Sequence, residues 1–309
     1  MDATFVLAEH SLGLLESAVD SIGVVHSLID LLEEAKMQGR VLAWEEVFAV
    51  PVGSSGTLSD FLFGPDANLE PDLKRLLGGL LDKLPKWGSE EGSPALEATV
   101  KGETFDWAPS VSVCLEHVGA DPWALLCASE DISGGPSIVS RESEPASGEL
   151  WLLVRAAELR GFWRDALLRY HCTESDLRDA SPHAFPGTVF APAAWSQCGS
   201  FQGAWADLRG RLIAALAGLD DGAAEVFGKE LQSHERIRLM SAIHGVDCSP
   251  ESPSTHKNSK AMAQREAVFE DKARVCEWHA KLERHRNRIH FLVDGSTVYV
   301  GVFADHLMV

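Results

Sequence analysis

Apolar and polar residues alternate with a period of two near the carboxyl terminus, and that alternation predicts strands over residues 274–282, 288–293 and 297–303. Cys276, Trp278, Ala280 and Leu282 fall on one side of the first strand, and Glu277, His279 and Lys281 on the other. The second repeats the division, with Ile289, Phe291 and Val293 toward a core and Arg288 and His290 away from it. Asp294-Gly295 between the last two runs signals a tight hairpin, because a type I′ turn needs positive φ at both central positions. Pairing Val293 with Ser296 then sets His290 beside Tyr299 and Ile289 beside Val300. A short edge strand over 268–270, turning at Asp271-Lys272, adds to the same sheet.

Earlier in the chain the period changes. Leu12, Leu15, Val19, Ile22, Leu28 and Leu32 space one long or two short amphipathic helices over residues 9–38, before Gly39. Residues 41–52 read as a strand and 71–84 as a helix stopped by Pro85, followed by a Gly/Ser/Glu-rich loop over 86–94. Strands are expected at 111–118 and 123–129, then a polar linker over 129–149. Helices follow at 150–170, 174–180, 205–219 and 229–244, the last turning Leu231, Ile237, Met240 and Ile243 inward, and 245–259 reads as an irregular loop. The fold class expected is therefore α+β: helical amino-terminal and middle regions, and a carboxyl-terminal antiparallel sheet packed on the 229–244 helix. The divisions expected are an acidic α/β region at 1–128, the linker at 129–149, a helical region at 150–228 and the terminal region at 229–309.

Composition adds bounds. The 309 residues are 45% apolar, enough for about two cores. No leader-like start and no run long enough to cross a bilayer is present, so a soluble, cytoplasmic protein without a membrane partner is expected. Six cysteines without a Cys-x-x-Cys pair read as reduced thiols. The net charge of -19 is uneven: residues 229–309 carry twelve Lys/Arg against eleven Asp/Glu, a balance of +1, which leaves -20 for residues 1–228. An acidic surface of that kind suits a basic protein partner or mimicry of nucleic acid, while the local basic run at 272–288 attracts phosphate.

The polar face of the terminal sheet gathers general acid–base side chains. Glu277, His279, Arg288, His290 and Tyr299 are candidate catalytic residues, and Lys281, Arg284 and Arg286 candidate RNA contacts, with His285 in the same loop. Guanidinium groups could hold a phosphodiester while an imidazole or carboxylate takes a 2′-hydroxyl proton, with no cofactor required. A second arrangement, of zinc-ligand type, draws on His244, Cys248, His256, Cys276 and His279, although in a strand Cys276 and His279 point to opposite faces.

A helix followed by a small sheet carrying Arg288-Ile289-His290-Phe291, a tight turn and residues 298–302 resembles the core of RelE/HigB-type toxins over the last seventy residues or so. That resemblance implies a small metal-independent ribonuclease acting on RNA or at the ribosome, with matching residue types at His279, Arg288, His290 and Tyr299. Residues 244–256, Cys276-Glu277-Trp278-His279 and the ending after Arg288 are also similar to proteins of high-GC actinobacteria, a likeness that implies no activity. Arg284-His285 with His290 fits the Arg-polar-x4-His spacing of helical HEPN ribonucleases, but here on a strand. No Gly-x-Ser-x-Gly elbow, dinucleotide fingerprint or Walker loop occurs. The function expected is a ribonuclease-like toxin or defence protein working through the terminal sheet; the alternative is a non-enzymatic acidic binding or regulatory protein.

Overall fold

The computed structural model describes residues 1–53, 56–64, 69–88, 96–129, 131–141 and 146–308. The chain forms two compact units, Met1–Phe162 and Trp163–Val309. Its class is α+β, with an antiparallel sheet toward the carboxyl end.

The strands of the first unit are β1 (Thr4–Leu7), β2 (Arg40–Trp44), β3 (Lys86–Trp87), β4 (Ala98–Val100), β5 (Glu103–Phe105), β6 (Trp123–Leu126), β7 (Gly135–Arg141) and β8 (Ala146–Leu153). They make one sheet in the order β3-β2-β1-β6-β8-β7-β4-β5. The stretch β3-β2-β1-β6-β8 is parallel, and β7, β4 and β5 continue it antiparallel. This parallel core is the largest departure from the sequence expectation of a helical start. Phe5-Val6-Leu7 and Ala124-Leu125-Leu126 are buried without interruption, as strands covered on both faces are. Such short apolar runs have no period of two to announce them.

The helices of this unit are α1 (Glu9–Leu12), α2 (Ser21–Gln38), α3 (Leu58–Phe63), α4 (Pro71–Lys83) and α5 (Pro109–His117). α4 matches its expected span. α2 starts where the Asp20 side chain accepts from Gly23 N at 2.9 Å, and it buries Val24, Val25, Leu28, Ile29, Leu31, Leu32 and Ala35. The strand expected over 111–118 is instead α5: Pro109 occupies its first turn, and the buried Glu9 carboxylate accepts from Ser110 N at 3.0 Å, capping an end the local sequence leaves open. Residues 129–149 are not a linker either, since β7 and β8 pair from Gly135↔Leu152 to Arg141↔Ala146. Of the loop expected at 86–94, residues 86–87 are β3 and 89–95 lie outside the described residues.

After β8 come α6 (Leu159–Arg169), α7 (Glu174–Ala184), α8 (Pro192–Trp195), α9 (Trp205–Gly228), α10 (Ser233–His244), α11 (Pro253–Lys257) and α12 (Ser259–Ala263). α7 runs through Pro182, and the Ser181 hydroxyl bonds the Arg178 carbonyl at 2.8 Å that proline's missing N–H leaves unserved. The strands are β9 (Thr188–Phe190), β10 (Cys248–Pro250), β11 (Glu266–Phe269), β12 (Lys272–Val275), β13 (Trp278–Lys281), β14 (Arg288–Asp294) and β15 (Thr297–Ala304). One sheet has the order β10-β13-β14-β15-β9, antiparallel except for β9 on β15, and β11-β12 is a separate hairpin. The strand expected at 274–282 is thus broken between β12 and β13, and the loop expected at 245–259 supplies β10 and α11.

Two further corrections concern packing and register. The helix on the sheet's apolar face is α9, whose Phe227 ring lies 4.8 Å from Trp278 and 5.9 Å from Phe291. α10 packs on α9, where a side chain at Gly218 or Gly222 would strike His244, and Ile243 stays 67% exposed. The hairpin turns at Gly295-Ser296 with φ +60° at Gly295, which pairs Asp294 with Thr297 and Tyr299 with Leu292. A glycine with positive φ at the first central position fits the II′ turn rather than the I′ turn. A bulge at His290/Phe291 then sets His290 opposite Val302.

Candidate functional site

Cross-strand pairing aligns Ser249 on β10, His279 on β13 and His290 on β14 in one row. The alternation in the sequence therefore placed both imidazoles on the same face correctly. What it could not supply is the cover over that face. Residues 251–275 fold across it: Glu251, buried Thr255 and Ala261 of α11 and α12, and Arg265, which is fully buried. The β11-β12 hairpin covers the rest, with Phe269 against Tyr299 at 5.2 Å and Cys276 and Ala267 where a Gly301 side chain would stand. His279 and His290 are consequently buried.

Glu251 organises the interior. Its Oε1 lies 3.1 Å from His279 Nδ1, 3.5 Å from His290 Nδ1 and 2.8 Å from Arg265 Nε, and its Oε2 accepts from Arg265 Nη2 at 3.0 Å. Burial alone would push this carboxyl up, but hydrogen bonds from His279 and Arg265 outweigh it and bring it to about 2. Arg265 is fixed in turn by the carbonyls of Ala261 at 2.6 Å and Met308 at 3.0 Å. Burial, then the neighbouring His279, holds His290 down at about 3, so it is neutral, and among the described residues neither of its ring nitrogens has a hydrogen-bond partner. On the other side of His279, Nε2 lies 3.1 Å from the Ser249 hydroxyl. In a neutral His279 the ionised Glu251 favours the tautomer whose Nδ1–H donates to the carboxylate, which turns the Nε2 lone pair to Ser249 O–H. Ser249 is half-buried on the outermost strand of the sheet, the one member of the row that meets solvent.

The remaining predicted residues do not converge here. Glu277 is exposed. Lys281 pairs with Asp247 at 3.1 Å, Arg286 with Glu283, and Arg274 with Asp294 at 2.7 Å, so half of the six basic side chains of the run are held by neighbouring carboxylates. Arg284 is exposed, Arg288 half-buried, and Tyr299 sits beneath the Arg274 guanidinium at 4.4 Å. The zinc set does not assemble: among the described residues the one cluster of His, Cys or carboxylate ligands is Glu251, His279 and His290. Cys248 and Cys276 are buried thiols pushed up to about 12, His256 is exposed and His244 half-buried. In the cluster that does form, the Arg265 guanidinium already balances the Glu251 charge, so a divalent cation would add uncompensated charge to a buried site.

Sequence reasoning missed Ser249, Glu251 and Arg265. The only local hint was Ser249-Pro250-Glu251, whose spacing of two puts a hydroxyl and a carboxylate on one face of an extended segment.

The first unit has its own buried ionisable pair just beyond β1. Burial raises Glu9 to about 7 and lowers His10 to about 4, and among the described residues Glu9 Oε1 and both His10 ring nitrogens have no hydrogen-bond partner. Because the folded-state value of Glu9 exceeds its ordinary 4.5, the unfolded chain ionises first as pH rises, and the Glu9 contribution to stability is lost between pH 4.5 and 7 before levelling. Glu9→Gln keeps an acceptor for Ser110 N and abolishes this loss. Denaturant titrations should find the variant more stable than the parent by on the order of 2–3 kcal/mol above pH 7, with the advantage gone below pH 4.5. A cavity of about 200 Å³ lies past the carboxyl ends of β6 and β8, lined by Asp20, Ser27, Cys127, Ser129 and Arg155 among others. Comparison with protein-family models, with curated proteins and with solved structures finds no match to this chain.

Proposed function

We propose that the second unit is a serine-dependent hydrolase in which Ser249 is the nucleophile, His279 its general base and Glu251 the group that orients the base. The observation that carries this reading is the unbroken line from the Ser249 hydroxyl to His279 Nε2 and from His279 Nδ1 to Glu251, each step 3.1 Å. A nucleophile, a base within hydrogen-bond reach and a third group fixing the base are the parts acyl transfer requires, whatever the fold or chain order.

The chemistry follows from those positions. Ser249 Oγ attacks the carbonyl carbon of an ester or activated amide while its proton passes to His279 Nε2. The resulting imidazolium is stabilised by Glu251. Collapse of the tetrahedral adduct breaks the bond to the leaving group, which takes the proton from His279. Water then attacks the acyl-serine by the same proton route, releasing the acid and restoring the hydroxyl. Neutral His290, with its ring centroid 5.4 Å from that of His279, puts no second positive charge beside the imidazolium. Arg265 holds Glu251 and acts as a positioning residue.

A fluorophosphonate probe tests the nucleophile directly. Peptide mass spectrometry should find the adduct on Ser249, and Ser249→Ala should abolish it without moving the thermal unfolding transition. Labelling on other serines alone, or none on a folded chain, refutes the proposal. The ribonuclease reading required His279 and His290 on an open face; RNA cleavage that survives Ser249→Ala and is lost in Arg288→Ala would favour it instead.

A further inference from the structure

The β11-β12 hairpin stands apart from the five-stranded sheet, and β11 pairs with β12 alone. Its turn, Glu270-Asp271, has positive φ at both residues, +46° and +65°, as a two-residue I′ connection demands. That turn fixes the hydrogen-bonding alternation. Phe269 and Ala267 exchange backbone bonds with Lys272 and Arg274, and Arg265 O accepts from Cys276 N at 2.9 Å in the same phase. Glu266 and Val268 therefore turn their N–H and C=O groups outward, and among the described residues no bond from another element meets them. Both are exposed, Val268 at 55%.

That free edge forms one wall of a groove of about 490 Å³. Pro192, Ala193 and Gln197 make the opposite wall, from α8 and the turn after it, and Gly301 lies in the floor. Gly301 is the extra residue of the β14-β15 bulge, and a side chain there would collide with Cys276 and Ala267. Among the described residues the charged side chains lining the groove are the carboxylates of Glu266, Glu270 and Asp271.

We propose that this groove binds an extended basic peptide segment of a partner protein, which adds a strand to β11. The outward backbone groups of Glu266 and Val268 would supply the main-chain bonds, the carboxylates would select lysine or arginine, and Pro192 and Ala193 would take an apolar side chain. A free strand edge is a pairing template, and no proline interrupts the four residues of β11. The site is independent of the serine chemistry proposed above.

The test is fluorescence polarisation of a labelled peptide alternating lysine and valine, against three controls: glutamate in place of lysine, N-methylation at alternate amides, and rising salt. Binding should weaken at least tenfold in each control. On the protein side, Val268→Pro removes one outward N–H without touching the bonds to β12, and Glu266→Lys with Glu270→Lys reverses the rim charge. Each should weaken binding at least tenfold, with near-UV circular dichroism unchanged, while Ser249→Ala binds as the parent does. No binding by the parent chain, equal binding by the methylated peptide, or variants that bind like the parent would overturn the proposal.

Discussion

Arg265→Ala is expected to destabilise the second unit by about 3–5 kcal/mol, because it strips the counter-charge from a buried carboxylate. Arg265 is fully buried, and it meets both oxygens of Glu251, at 2.8 and 3.0 Å. Removing it leaves Glu251 with only His279 as a hydrogen-bond donor, and the carboxyl rises from about 2 as burial takes over as the deciding influence. Denaturant unfolding followed by tryptophan fluorescence measures the loss as a fall in midpoint. The matched double replacement, Arg265→Met with Glu251→Leu, should recover most of it, since apolar residues of similar volume carry no desolvation cost. A single variant within about 1 kcal/mol of the parent would mean that water reaches Glu251.

The same network makes the unit sensitive to acid, and two groups act in the same direction. The folded-state value of Glu251 is about 2, against an ordinary 4.5, so its contribution is complete above pH 4.5 and is lost as pH falls toward 2. The folded-state value of His290 is about 3, against 6.5, so the folded form resists a proton that the unfolded chain accepts, and stability falls from pH 6.5 toward 3. Arg265→Ala should flatten the Glu251 part of this profile and leave most of the His290 part in place, since burial and His279 outrank Arg265 among the causes that hold His290 down.

His279→Gln should lower the turnover of an activated aryl ester by about 10⁴-fold or more, with KM changed little. Glutamine can still donate to Glu251, but it offers Ser249 no base, so the loss falls on the chemical step rather than on binding. The stronger statement concerns pairs. On the proposed mechanism Ser249 and His279 act as one unit, so the double variant should be no worse than Ser249→Ala alone, whereas independent roles would multiply. Initial rates of the single and double variants distinguish the two cases. A multiplicative double variant, or an His279→Gln enzyme within tenfold of the parent, would remove His279 as the base.

Parts of this architecture were legible in the sequence because they depend on neighbours in the chain. The α4 helix starts at a proline and stops before another, and β13, β14 and β15 show their two sides in a period of two. The parallel strands β1 and β6 were not legible, since runs as short as Phe5-Val6-Leu7 look alike in a buried strand and a buried helix. α5 misled for a related reason: Val111-Ser112-Val113 alternates like a strand, and its amino-terminal cap comes from Glu9, remote in the chain.

At the candidate site, strand alternation alone put His279 and His290 on a shared face, because pleating alternates side chains whatever else the chain does. Closure of that face, the arrival of Glu251 and Arg265 from the segment folded across it, and the approach of Ser249 from an edge strand all come from packing between elements. Periodicity is a property of one element. Burial, ion pairing and the alignment of a nucleophile with its base arise between elements, and no local pattern encodes which remote segment will cover a given face.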